Sequence, residues 1–235
     1  MYYNGCSKFF CQNFKGGIWM VHVKKISSML FLVSLCFLIG GCTEKNPEQQ
    51  VQGESSIENQ NIEAVQSVLK AEFTVPNEDH LEVVQNIEQK MREIDSNTSE
   101  TDEAKRNEEL GNSDEWRAYE ELVEKTYGAY FTESEFDKLI PSNAAFRYHQ
   151  EPLSFDKDNQ YEITIDDMDV VKSDNPNTPK SYNFTVQVTY ENSANEASQH
   201  EIKGTAILSE PGEIGKFELK EDGGLYEKVR ADGSE

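Results

Sequence analysis

Three kinds of side chain in this sequence could do chemistry: four cysteines, the histidines that follow them, and several close-set carboxylates. Thiolates serve as nucleophiles, metal ligands or points of modification. Cys6, Cys11, Cys36 and Cys42 all lie within the first 42 residues, and no Cys-x-x-Cys pair joins them. Imidazoles do acid–base work near neutral pH, and His80, His149 and His200 lie beyond Cys42. His149 closes the stretch FRYHQ beside Arg147 and Tyr148. These spacings assemble no Ser–His–Asp set, and no glycine-rich phosphate loop is present. The carboxylates Asp156, Asp158 and Asp167 mimic the start and end of a calcium loop, but Tyr161 stands where that loop needs glycine. No catalytic residue, metal ligand or cofactor is assigned from these patterns.

Cys42 differs from the rest by what precedes it. Lys24 and Lys25 lead into ISSMLFLVSLCFLIGGC, where every residue from Met29 to Ile39 except Ser34 is apolar. A basic segment followed by a short apolar run is the layout of an export signal. Eleven residues are too few to cross a hydrocarbon core, which takes about 20 in a helix. Gly40 and Gly41 then offer a peptidase close access to the backbone. Ile39, Gly40, Gly41 and Cys42 resemble, position by position, the lipobox of bacterial lipoproteins. The resemblance implies cleavage before Cys42 and a diacylglyceryl group on its thiol. It implies a protein held on the extracytoplasmic face of a cell membrane, as in Gram-positive bacteria. The other three cysteines would leave with residues 1–41, so no disulfide is expected in the remaining chain. The stretch KGGIWM, back-translated, contains a ribosome-binding sequence just ahead of an ATG. Residues 1–19 therefore read either as an over-called start, with Met20 the first residue, or as an extended basic segment of the signal.

Charge separates the same two regions. Residues 1–41 carry four lysines and no acid; the rest carries 18 basic and 44 acidic side chains, a net −26. Phosphate backbones need Lys and Arg, so nucleic acid is excluded as a partner. Anionic lipid should repel the domain as well. Residues 42–60, the lipid anchor and TEKNPEQQVQGESSIENQ, are too polar to bury a core and read as a flexible tether.

The elements follow in a set order, and residues 61–235 read as one domain. Ile62, Val65, Val68, Leu69 and Phe73 mark a helix face, and Leu81, Val84, Ile87, Met91 and Ile94 mark a second. Residues 96–112 read as a loop or a frayed helix. Asn112 and Glu115 have capping-box spacing ahead of a third helix striped by Trp116, Tyr119, Leu122, Val123, Tyr127 and Tyr130. Thr132 and Glu135 repeat that logic for a short helix stopped by Pro141. The period then changes to two. Residues 144–150 read as a short strand, and 161–171 as a strand whose parity changes at a bulge near Asp166–Asp167. YNFTVQVTY puts Tyr182, Phe184, Val186, Val188 and Tyr190 on one face, and strands at 201–210 and 216–222 follow. Tyr182 and Tyr190 read as core residues with hydroxyls at the rim. Helices first and strands last predict an α+β fold, with the helices covering one face of a curved antiparallel sheet of four to five strands.

This order, carried by YFTESEFDKLI, FRYHQ, YNFTVQVTY and FELKEDGGL, resembles the NTF2-like (cystatin-like) superfamily as found in Gram-positive lipoproteins. The resemblance implies a cone-shaped space between sheet and helices. It leaves two functions open: a non-enzymatic binding or scaffold domain facing an envelope protein or extracellular ligand, and a small cavity-type isomerase or hydrolase. A buried ionisable group beside a hydrogen-bonding partner would favour the second.

Overall fold

A computed structural model describes residues 47–97, 103–149 and 161–232, with side chains from 55 onward. The chain falls into two compact units, Met1–Ser55 and Ser56–Glu235. Ile39, Gly40, Gly41 and Cys42 lie outside the described residues.

Helix α1 runs from Pro47 to Phe73. Its start corrects the expected flexible tether, because Pro47–Gln60 is helical. Pro47 suits a first helical position, and the Glu- and Gln-rich stretch after it favours helix even without an apolar face. From Asn61 onward the predicted stripe is in place: Val65, Val68, Leu69 and Phe73 are buried. Helix α2, Glu78–Asn97, is capped by Asn77, whose Oδ1 accepts from the His80 amide. The segment expected as a loop or a frayed helix contains helix α3, Glu103–Gly111, which has no buried residue. It lacks an apolar stripe, so periodicity could not reveal it.

Helix α4, Asp114–Tyr127, buries Tyr119, Leu122, Val123 and Tyr127 as its stripe predicts. Its cap is Ser113 and not Asn112: the Ser113 hydroxyl accepts from the Trp116 amide at 3.1 Å. Asn112 instead sends its side-chain N–H to the Glu108 carbonyl, closing α3. Helix α5, Glu133–Phe136, is shorter than expected, and Thr132 makes no side-chain cap bond. Glu135 does not reach back. It accepts from the Phe217 amide and pairs with Lys138. The expected strand at 144–150 is also absent from the described part of that stretch. It forms turns and a 3-10 helix, Arg147–His149.

Strands β1 (Glu162–Lys172), β2 (Ser181–Glu191), β3 (Ala197–Glu210) and β4 (Glu213–Glu221) form one antiparallel meander in sequence order. The register of β1 on β2 shifts between Ile165 and Asp167, so Asp166 is the predicted bulge, and its carboxylate accepts from the Thr189 hydroxyl. Along β2 the residues Tyr182, Phe184, Val186, Val188 and Tyr190 are all buried. Gly204 of β3 lies opposite Phe184. A Cβ there would strike the Phe184 ring, so the glycine leaves room for that ring to stack on Phe217 of β4 at 5.2 Å. Each outer edge is pinned. Val75 exchanges two backbone hydrogen bonds with Ile163 of β1. On the far side the Thr132 amide donates to Ile214 of β4, and the Ile214 amide donates to Tyr130.

Helix α6, Leu225–Asp232, lies beyond the predicted elements and buries Leu225 and Val229. One apolar cluster joins α1, α2, α4, α6 and the inner face of the sheet. The fold is α+β, with helices first and a curved four-stranded antiparallel sheet following. Helix α1 reaches both layers through polar side chains. Asn61 donates to the Tyr182 hydroxyl of β2, and Glu72 accepts from the Tyr127 hydroxyl of α4.

Candidate functional site

The stripe on α1 predicts an apolar residue at position 72, one turn after Val68 and Leu69. The chain puts Glu72 there, 7% exposed. Burying a carboxylate is costly unless donors surround it, and three do. Oε1 accepts from the Tyr127 hydroxyl and from the Phe146 amide at 3.0 Å; Oε2 accepts from the Arg147 amide at 3.1 Å. The two amides are consecutive and lead into the 3-10 helix, so Glu72 caps that helix from a distant element. Phe146 has φ +53, a left-handed conformation that costs a bulky residue roughly 1–2 kcal/mol. This conformation points both amides at one carboxylate.

Two histidines complete the cluster. His149 Nε2 lies 2.9 Å from the Ala71 carbonyl. A carbonyl only accepts, so Nε2 carries the proton and Nδ1 holds the bare lone pair. Among the described residues that Nδ1 is buried without a partner, and so is Nδ1 of His80. The two imidazole rings are 5.4 Å apart and nearly edge to face, and both pack on the Phe146 ring. Tyr119 of α4 closes the far side of His80 at 6.3 Å.

Burial sets the protonation of all three groups. It raises Glu72 to about 7 against the opposing pull of its hydrogen bonds. Burial lowers His80 to about 3, with help from His149, and lowers His149 to about 4 although nearby main-chain carbonyls favour its cation. Burial and the adjacent Glu72 raise Tyr127 well above an ordinary phenol. Near neutral pH the cluster therefore holds two neutral imidazoles and a carboxyl close to half-protonation.

A general acid or base must offer its lone pair or proton to a substrate. Both lone pairs of Glu72 Oε1 are taken by the protein, and one of Oε2. The arrangement is that of a clamp, fastening residues 146–149 to α1. No group of three or more His, Cys, Asp or Glu side chains among the described residues could hold a metal ion.

The other residues singled out by the sequence fall elsewhere. The Tyr182 hydroxyl is buried against Asn61, whose Oδ1 also takes the Gly212 amide; it does not lie at a rim. The Tyr190 hydroxyl donates to Asp232 on α6. Tyr148 reaches Asp222. His200 is half-buried between the Ser198 hydroxyl at 2.8 Å and the Gly223 carbonyl at 3.0 Å, bracing the turn before α6 against β3. Asp156 and Asp158 lie outside the described residues. An open hollow of about 630 Å³ between α2, α3 and the start of α4 is lined by side chains of both signs. Two of its ion pairs, Lys90–Glu93 and Lys105–Glu109, are internal to their helices. Glu72 was missed by the sequence reading, although an acid on the apolar face of a helix is itself a signal.

No family model, curated protein or solved structure matches the chain.

Proposed function

We propose that this chain is a lipoprotein, anchored through a diacylglyceryl group on Cys42 to the extracytoplasmic face of a cell membrane. We further propose that its folded domain is a non-enzymatic binding or scaffold module for an envelope protein or extracellular ligand. The observation that carries the reading is the run from Lys24 through the apolar segment to Ile39-Gly40-Gly41-Cys42. Two acyl chains suffice for stable membrane attachment, whatever the charge of the domain. The net −26 beyond residue 41 favours a module held off anionic lipid and turned outward. The buried ionisable groups support the non-enzymatic half, since Glu72 is occupied by donors of the fold itself.

Feeding cells an alkynyl fatty acid tests the anchor. Wild-type protein should take up label, and Cys42→Ser should not. Equal labelling of the two would end the lipoprotein reading. The soluble domain, residues 61–235, should also fail to sediment with vesicles of anionic phospholipid.

The isomerase or hydrolase alternative has one observation in its favour, the buried Glu72 beside the Tyr127 hydroxyl. Turnover of a small substrate that disappears in His149→Gln while the fold persists would replace the binding-module reading.

A further inference from the structure

The Glu72 clamp holds residues 143–149 in an unusual backbone. Asn143 and Phe146 both have positive φ, and the Phe146 and Arg147 amides both end on one carboxylate. His149 within this segment and His80 packed against it each bury an Nδ1 that has no hydrogen-bond partner among the described residues. The surrounding groups are known from each element: Glu72 on α1, His80 on α2, Tyr119 and Tyr127 on α4, and Arg147 beside His149. Both tyrosines are held neutral by burial. A proton added to His149 Nδ1 would find no acceptor among the described residues, and a charge on either ring would sit against Phe146.

We propose that residues 143–149 form an acid-released latch, in which His80 and His149 take up protons only when the segment lifts away from α1 and α2. Glu72 works against release. Its Oε2 accepts only one hydrogen bond, so the neutral acid can carry its proton there and keep all three donors. Protonation of Glu72 therefore tightens the closed state.

The balance gives a measurable slope. Between pH 6.5 and 4.5 opening takes up two protons on the histidines and releases one from Glu72. The open-to-closed ratio should then rise by up to about tenfold per pH unit fall. Below pH 4.5 Glu72 becomes protonated in the open state too, but His149 begins to take up its proton in the closed state, so the slope should stay near about tenfold per unit and then fall.

Amide hydrogen exchange of the full chain, resolved by residue and corrected for intrinsic amide chemistry, reads this ratio at Phe146 and Arg147. The expected result is exchange faster than that of Val186 in β2 at every pH, with the stated slope. His80→Phe keeps a ring against Phe146 and removes one titrating group. It should flatten the slope between pH 6.5 and 4.5, because one histidine and Glu72 then cancel. Exchange at Phe146 and Arg147 that tracks β2 would overturn the latch, since the segment would then open only with the whole domain. A flat profile in the wild type would overturn it as well. Should His80→Phe fail to fold, the imidazole carbon resonances of the wild type decide the matter. Both histidines must stay neutral in the closed state to below pH 5, and either one titrating near 6.5 in the folded protein would sink the proposal.

Discussion

Glu72 accepts from the amides of Phe146 and Arg147 and from the hydroxyl of Tyr127, and the Phe146 amide also donates to the Tyr127 hydroxyl at 3.3 Å. Glu72→Ala would leave the Tyr127 hydroxyl and the Arg147 amide without their acceptor, at roughly 1–3 kcal/mol each. The expected loss in a urea titration is at least about 2 kcal/mol, a sizeable share of a typical stability of about 5–15 kcal/mol. The apolar counterpart is Phe184, fully buried and stacked on Phe217. Phe184→Ala should cost roughly 3–5 kcal/mol. Gln187 lies on the opposite face of the same strand and bonds only to the exposed Glu201. Gln187→Ala should change stability by less than about 0.5 kcal/mol. Equal losses for these two, measured side by side, would mean that the two faces of β2 are not as described.

Among the elements, α4 is set by one hydroxyl. Ser113 is buried and its side chain satisfies the Trp116 amide. Ser113→Ala should destabilise the domain by about 1 kcal/mol, the usual value of an N-cap. Asn112→Ala should do less, because Asn112 is exposed and its side chain bonds to the Glu108 carbonyl at the end of α3. Thermal unfolding of both variants in parallel checks the assignment; a larger effect at Asn112 would restore the cap to the earlier position. The sheet depends less on caps than on its neighbours. Val75 and the Tyr130–Thr132 segment hydrogen-bond to its two outer strands, so chain flanking the helices supplies the partners that an edge would otherwise lack.

For the whole molecule, the three buried groups of the clamp set a pH optimum. Glu72 is raised by burial from 4.5 to about 7, so its contribution is complete below pH 4.5 and is lost as pH rises through 7. His80 and His149 are lowered from 6.5 to about 3 and about 4, so theirs is complete above 6.5 and is lost as pH falls. From pH 6.5 down to 4.5 two histidines oppose one carboxyl, and stability should fall by about 1.4 kcal/mol per pH unit. Maximum stability is expected between about pH 6.5 and 7. Urea midpoints measured from pH 8 to 4.5 test this; a midpoint that climbs steadily on acidification would show that Glu72 alone governs the balance.

Sequence by itself determined whatever depends on local periodicity and local chemistry. The alternation from Tyr182 to Tyr190, the parity change that becomes the Asp166 bulge, and the stripes of α1, α2 and α4 are each visible because side-chain direction repeats every 2 or 3.6 residues. The helices-then-strands order, and with it the α+β class, follows from those periods. Tertiary structure decided the elements that have no period to show. Helix α3 buries nothing, α6 is a short helix after a Gly-Gly turn, and residues 144–149 alternate like a strand yet turn. That last segment is decided by Glu72, which is more than 70 residues away in sequence and binds the Phe146 and Arg147 amides directly. The clamp arises from that distant contact, and the neutral histidines from the burial that the packed helices impose. A window along the chain contains no information about which carboxylate will meet which amides, because the meeting exists only after α1, α2 and α4 have packed.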